Sequence, residues 1–333
     1  MKRFLFIIGL FCLPFIILLV PYLITDPFKV IYDYDVYAEN GKPMYVNINR
    51  GYVSTQMYKQ NKDKYHYDSF IFGSSRSGFY KINDWKPYLS DSASCFHFDG
   101  FGESLYQVHK KIQYIDGKSP INNVLLCVDE QLLSNITPMY THLHYLPPCL
   151  NNNNDVLSFQ FAAFRAYLTP SFFVGYLDFK LSGHVKSYMI ENQVIDTTTY
   201  AYNLAWNEAG KADVKGLNDS AYYTPQKRAL FYERPNQQQY YSKCIIGEEQ
   251  QRLLREIKAI FDKNHTNYKI IINPVYDQKK FQEADMAILR SIFGERLYDF
   301  SGINEYTNDY RNYTDLAHFK SYIAADIIKT IYK

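Results

Sequence analysis

Five short apolar runs constrain this chain more than any other feature: Ser69 to Phe72 (SFIF), Cys95 to Phe98 (CFHF), Asn123 to Val128 (NVLLCV), Tyr268 to Ile272 (YKIII) and Leu297 to Phe300 (LYDF). Each is too short for a helix and too continuously apolar for a strand with one wet face, so each reads as a strand buried on both sides. Between and after them the spacing predicts amphipathic helices over about Glu103–Tyr114, Glu248–Phe261, Gln278–Phe293 and Leu316–Ile331. Strand and helix in alternation imply a central parallel sheet covered on both faces, a three-layer α/β/α sandwich.

The interval from Leu133 to Gly247 breaks this rhythm. It holds Pro147-Pro148, the cluster Asn151 to Asn154, an aromatic helix-like stretch around Phe159 to Tyr167, and then polar, tyrosine-rich sequence. That is too long for a connecting loop and reads as an inserted subdomain or lid. The resulting organisation is 1–25 N-terminal segment, 26–67 linker or N-terminal extension, 68–132 first part of the core, 133–247 insertion, and 248–333 second part of the core.

Phe4 to Ile24 is an uncharged apolar run of 21 residues behind Lys2 and Arg3, followed by Asp26. At about 1.5 Å per residue it just crosses a hydrocarbon core of about 30 Å. The flanking charges place the N-terminus in the cytoplasm and the body outside, and no small-residue cleavage site follows, so the expectation is an uncleaved single-pass signal anchor. Lys2 and Arg3 are the only charges in that region, so 36 Lys+Arg against 34 Asp+Glu leaves a formally neutral body. A neutral body argues against sequence-independent nucleic-acid binding, which rests on neutralising phosphates. Cys149 and Cys244, in polar loop-like sequence, form a candidate disulfide pair, whereas Cys95 and Cys127 read as core residues.

Two places in the chain can do chemistry. The first strand runs straight into Gly73-Ser74-Ser75-Arg76-Ser77-Gly78. At the carboxyl end of a parallel strand, a serine in a tight turn exposes its hydroxyl to a cleft while backbone N–H groups point at the same spot. Far away, Tyr313-Thr314-Asp315-Leu316-Ala317-His318 precedes the last predicted helix. An aspartate three residues before a histidine can hold one ring nitrogen while the other faces a nucleophile. Each place also has a plain structural reading, as a common turn and as a helix cap; their occurrence at strand ends of one sheet pattern favours a triad.

These residues resemble the SGNH (GDSL-type) hydrolases, whose fold is a flavodoxin-like sandwich. Gly73-Ser74-Ser75 is similar to the first block, with Ser75 as nucleophile. Gly102 is similar to the second-block glycine that lends an N–H to the oxyanion hole, and Asp315-x-x-His318 to the fifth block. Where the family carries an oxyanion asparagine, this chain has Asp129, which donates only when protonated; Gln131 is a substitute, and a helix cap or a partner for Arg76 is the other reading of Asp129. The anchor, the Gly-Ser-Ser-Arg form and the aspartate variant together resemble the membrane-anchored branch that works beside membrane-bound O-acyltransferases in bacterial envelope polymer modification, such as the alginate acetylation and teichoic acid D-alanylation proteins.

That resemblance implies an extracytoplasmic serine acyltransferase without a cofactor or metal, acting through an acyl-Ser75 on a cell-envelope polysaccharide, with a multi-span acyltransferase as partner. A carbohydrate esterase with the same triad and a non-catalytic accessory protein are the alternatives. Arg76 and Trp206 are candidate substrate-binding residues, and Tyr200, Tyr202, Tyr222, Tyr223, Tyr240 and Tyr241 are further aromatics able to stack on sugar rings. His142 and His144 can put two imidazoles on one side of a strand, but no third ligand has convincing spacing.

Overall fold

The computed structural model describes residues 1–211, 219–234 and 238–333; within helices and strands, the side chains at positions 2, 5–12, 14, 211, 219 and 220 lie outside the description. Eight strands occur among the described residues: β1 (Pro43–Tyr45), β2 (Ser69–Gly73), β3 (Cys95–Asp99), β4 (Asn123–Val128), β5 (Asp196–Asn203), β6 (Glu208–Lys211), β7 (Asn267–Ile272) and β8 (Leu297–Asp299). Five of them form one sheet in the order β3-β2-β4-β7-β8, with every neighbouring pair parallel. The five apolar runs are these five strands.

Alternate side chains of a strand point to opposite faces, and the two faces of this sheet have separate cores. Phe70, Phe72, Phe96, Phe98, Leu126 and Ile272 pack on one side, under helices α2 (Arg50–Tyr65), α3 (Leu105–Ile115), α6 (Glu248–Lys263) and α7 (Glu283–Phe293). Ile71, Leu125, Cys127 and Ile271 pack on the other, under α8 (Ser321–Ile331) and the segment around Trp85. Helices on both faces of a parallel sheet make the expected α/β/α sandwich. Local chemistry starts α3 where it does: Ser104 Oγ accepts from Gln107 N at 3.2 Å and the Gln107 side chain accepts from Ser104 N at 3.0 Å, a reciprocal cap.

Two helix starts differ from the sequence reading. Residues 278–282 and 316–320 precede α7 and α8 instead of opening them. Gln278 takes a left-handed φ of 56°, and Lys280 pairs its backbone with Tyr240 and Ser242. In the second case cross-loop bonds described below take the backbone groups a helix would need. Residues 26–67, expected as a linker or extension, include the 16-residue α2, whose Val53, Met57 and Tyr58 are buried in the core.

The interval 133–247 contributes the helices α4 (Val156–Tyr167) and α5 (Pro170–Ser182) and a hairpin of β5 and β6. The hairpin does more than cover a face. Its turn lies along edge strand β3: His97 N donates to Trp206 O at 2.8 Å and Asn207 Nδ2 donates to His97 O at 2.7 Å. An edge strand with open backbone groups invites pairing with other chains, and this turn closes it.

The N-terminal segment forms helix α1 (Lys2–Thr25), and Tyr22 packs on Phe164 and Tyr167 of α4 with ring centroids 5.1 and 5.2 Å apart. Among the described residues no helix is long and apolar enough to cross a membrane. Nine of the 21 positions of the expected anchor, 5–12 and 14, have side chains that lie outside the description. Cys95, Cys127, Cys149 and Cys244 are all free thiols, so the candidate pair Cys149–Cys244 does not form.

Candidate active site

Ser75 opens a single 3-10 turn, Ser75–Phe79, immediately beyond β2. The turn is tied by Ser77, whose N and Oγ both donate to Ser74 O, at 2.9 and 2.7 Å. Gly73 ends the strand at φ 147°, and a Cβ there would lie 2.6 Å from Cys127 O on the neighbouring strand. Only glycine lets the chain leave β2 at this angle while β4 lies so close.

His318 arrives from the other end of the chain. Asn312 to Lys320 folds back on itself: Thr314 N donates to His318 O at 2.8 Å, Lys320 N donates to Asn312 O at 2.8 Å, and Tyr313 bridges Phe319. Within this loop the Asp315 carboxylate accepts from Ala317 N at 2.8 Å and His318 N at 3.0 Å, and lies 2.9 and 3.0 Å from His318 Nδ1. The opposite ring nitrogen, Nε2, is 2.9 Å from Ser75 Oγ. Ser75, His318 and Asp315 are therefore in a continuous hydrogen-bonded chain, the arrangement in which a carboxylate orients an imidazole that takes a proton from a serine. Phe79 flanks the imidazole, with ring centroids 5.6 Å apart.

Arg76 does not stand free as a substrate hook. Its Nε donates to Ala317 O at 2.7 Å and its Nη1 donates to Asp129 Oδ2 at 2.8 Å. It clamps the loop that carries His318 onto the end of β4. Asp129 also accepts from Leu132 N at 3.0 Å through Oδ1, capping the short helix Glu130–Ser134. Both carboxylate oxygens thus work as acceptors, the helix-cap and Arg76-partner reading, and Asp129 offers no donor to an oxyanion.

The other oxyanion candidates are backbone groups. β2 and β3 run in register, Gly73 beside Asp99, so the Gly100–Gly102 loop leaves β3 at the level where Ser74 and Ser75 leave β2. Gly102 sits at φ 59°, where a Cβ would lie 2.8 Å from His144 Nε2. The insertion therefore presses a histidine onto this loop. His142 packs instead on Phe28, ring centroids 4.6 Å apart, and among the described residues no three metal-ligating side chains gather.

A buried ionic cluster that the sequence reading missed anchors both ends of the loop. Arg50 Nε reaches both oxygens of Asp99 at 3.0 and 3.1 Å, while Lys111 Nζ donates to Asp99 O at 2.8 Å and pairs with Glu103 at 2.5 Å. Burial pushes the Glu103 carboxyl up and the Lys111 ammonium down from their ordinary values, and each partner opposes the other's shift. The one available signal was charge at unusual places, on the inward side of helices α2 and α3.

The insertion also braces the histidine loop. Tyr223 OH donates to Arg311 O and Tyr313 O at 2.8 and 2.7 Å, and Tyr222 OH donates to Thr314 O at 3.2 Å. Lys227 stacks over Tyr222 with its Nζ 3.3 Å from the ring centre; burial pushes its ammonium below the ordinary value and the charge of Asp315 pulls it back up. Tyr202 is buried with its OH on Asn207 Oδ1 at 2.9 Å. Trp206 lies in the turn that covers β3, packed against the second core. Structural packing thus claims most of the aromatics that sequence offered for sugar stacking.

Beside the triad, a cleft of about 460 Å³ is lined by Arg76, Asp129, Tyr232, Ser242, Asn273 and Leu316, among others. Leu316 belongs to the histidine loop and Arg76 follows the nucleophile, so the cleft borders the segments that carry the triad, while Ser75, His318 and Asp315 themselves are not among its lining residues. No family model matches the chain, and no curated relative matches it.

Proposed function

We propose that this protein is a serine acyltransferase that moves an acyl group, in the first instance acetyl, onto a hydroxyl of a cell-envelope polysaccharide through an acyl-Ser75 intermediate. The observation that carries the reading is the unbroken chain from Ser75 Oγ through His318 to Asp315. His318 Nε2 takes the proton as Ser75 Oγ adds to the acyl carbonyl, and returns it to the oxygen that leaves. An acceptor hydroxyl then gives its proton to Nε2, adds to the acyl carbonyl, and releases Ser75 with the proton restored. In this reading Ser75 N–H and Gly102 N–H serve as the oxyanion donors, with no contribution from Asp129.

The apolar run Phe4–Ile24 supports a membrane anchor with the body on the extracytoplasmic side, as do Phe15, Ile16, Ile17 and Val20 of α1, which are exposed. A multi-span acyltransferase is the partner such an arrangement suits, because it can deliver the acyl group at the membrane surface. Hydrolysis by an esterase shares every step but the last, with water in place of the acceptor hydroxyl.

The test is intact-mass analysis of the full chain in detergent after exposure to p-nitrophenyl acetate. An acetyl adduct that maps to Ser75 and is missing in Ser75→Ala and His318→Ala is the expected result. A folded native protein that gains no adduct overturns the reading.

A further inference from the structure

Two residues that line the cleft beside the triad carry buried polar atoms without a hydrogen-bond partner among the described residues. Asn273 follows β7 and is 1% exposed; Tyr80 OH donates to its Oδ1 at 2.9 Å, which leaves Nδ2 without a partner among the described residues. Ser242, contributed by the insertion and 4% exposed, has an Oγ equally without a partner among the described residues. A buried polar group left unsatisfied costs about 1–3 kcal/mol, so a ligand that pairs with both of these gains that much at each.

The chemistry around them narrows what that ligand is. The cleft carries two cations against three carboxylates: Arg76 pairs with Asp129, and Lys279 with Glu130 at 2.8 Å and with Asp277 at 3.8 Å. Among the described residues both cations of the cleft are thus committed and the carboxylates outnumber them, which disfavours an anionic ligand. The groups still open are an amide N–H and a hydroxyl, which fit hydroxyl groups in the ligand. Tyr232, 46% exposed, packs edge-on to Tyr276 at 5.3 Å and can present a ring face at the cleft. A ring to stack on, with neutral polar groups beside it, suits a polyhydroxylated ring. The volume lies within the range of about 300–1,000 Å³ usual for small-molecule sites.

We infer that this cleft is the acceptor subsite, holding a neutral sugar residue by Asn273 Nδ2, Ser242 Oγ and the Tyr232 ring so that one of its hydroxyls faces Ser75. The inference rests on the acyl-Ser75 reading and adds to it the place and class of the acceptor. The insertion then has a defined part, since it supplies both Ser242 and Tyr232.

The test uses the full chain in detergent, acetylated at Ser75 with p-nitrophenyl acetate and then mixed in turn with the methyl glycosides of glucose, mannose and N-acetylglucosamine. Intact mass follows loss of the acetyl group. At least one glycoside should speed discharge above the rate in water and appear as its acetyl ester. In Tyr232→Ala and Asn273→Leu, the glycoside-dependent rate, divided by the same variant's rate of Ser75 acetylation, should fall about tenfold or more. Tyr232 is at the rim, so its variant keeps the fold even if Asn273→Leu does not. The inference is overturned if all three glycosides leave discharge at the rate in water, or if Tyr232→Ala keeps the native ratio. Absence of any acetyl-Ser75 in the native protein is a different failure, that of the acyltransferase reading itself.

Discussion

Arg76 Nε donates to Ala317 O at 2.7 Å, so the residue that follows the nucleophile holds the loop that carries the base. The same guanidinium reaches Asp129, just beyond the end of β4. Serine, histidine loop and sheet are joined through one side chain, and the consequences can be measured.

Arg76→Ala should slow acetylation of Ser75 by about 100-fold while the fold persists, because an ångström of misplacement between nucleophile and base has that effect. Arg76→Lys should recover little of it, since a point charge cannot reach Ala317 O and Asp129 at once. Single-turnover acetylation followed by mass, together with a circular dichroism melt, separates a positioning effect from unfolding. A native acetylation rate in Arg76→Ala would rule the clamp out.

Asp315→Asn keeps the shape of the loop but removes the carboxylate that orients the imidazole. Acetylation should drop by up to roughly 10⁴-fold, with the urea midpoint close to native. Asp129→Ala should act differently. It removes a helix cap worth about 1 kcal/mol and one arm of the Arg76 clamp, so the urea midpoint should fall along with the rate.

Gly73→Ala places a methyl group 2.6 Å from Cys127 O at a φ of 147°. Destabilisation of at least about 2 kcal/mol is expected, from strain and crowding together. Gly41→Ala is the control: its φ is 76° but the space around it is open, so only the backbone cost applies. Equal urea midpoints for the two variants would contradict the packing described at the end of β2.

Burial lowers the His97 imidazole to about 4, with its Nε2 against Ser77 Oγ at 3.2 Å. The unfolded chain therefore binds a proton at higher pH than the folded chain does. Stability is full above about pH 6.5 and declines as pH falls toward about 4; the part due to His97 between pH 7 and pH 5 is about 2 kcal/mol. Urea midpoints across that range should decline on acidification, and less steeply in His97→Asn. An unchanged slope in that variant would assign the acid sensitivity elsewhere.

Much of the framework was legible in sequence because it depends on local chemistry. The apolar runs from Ser69, Cys95, Asn123, Tyr268 and Leu297 announce strands buried on both faces, and their alternation with amphipathic helices implies a parallel sheet. Gly73-Ser74-Ser75 and Asp315-x-x-His318 could be picked out because a serine turn and a three-residue carboxylate–imidazole spacing are short-range patterns. What local pattern could not supply was the partner of each group. Ser75 and His318 are 243 positions apart and meet at 2.9 Å only because β2 and the histidine loop lie at one end of one sheet. Asp129 could have been an oxyanion donor or a cap until Arg76 and Leu132 N were seen to occupy its two oxygens. Trp206 and Tyr223 have the composition of a sugar platform and the packing of braces. The unpaired Asn273 and Ser242 come from opposite sides of the core and insertion boundary, and no sequence window contains both. Strand identity follows from the run of side chains within a few residues, whereas a site forms where distant backbone segments converge, and that convergence is decided by packing.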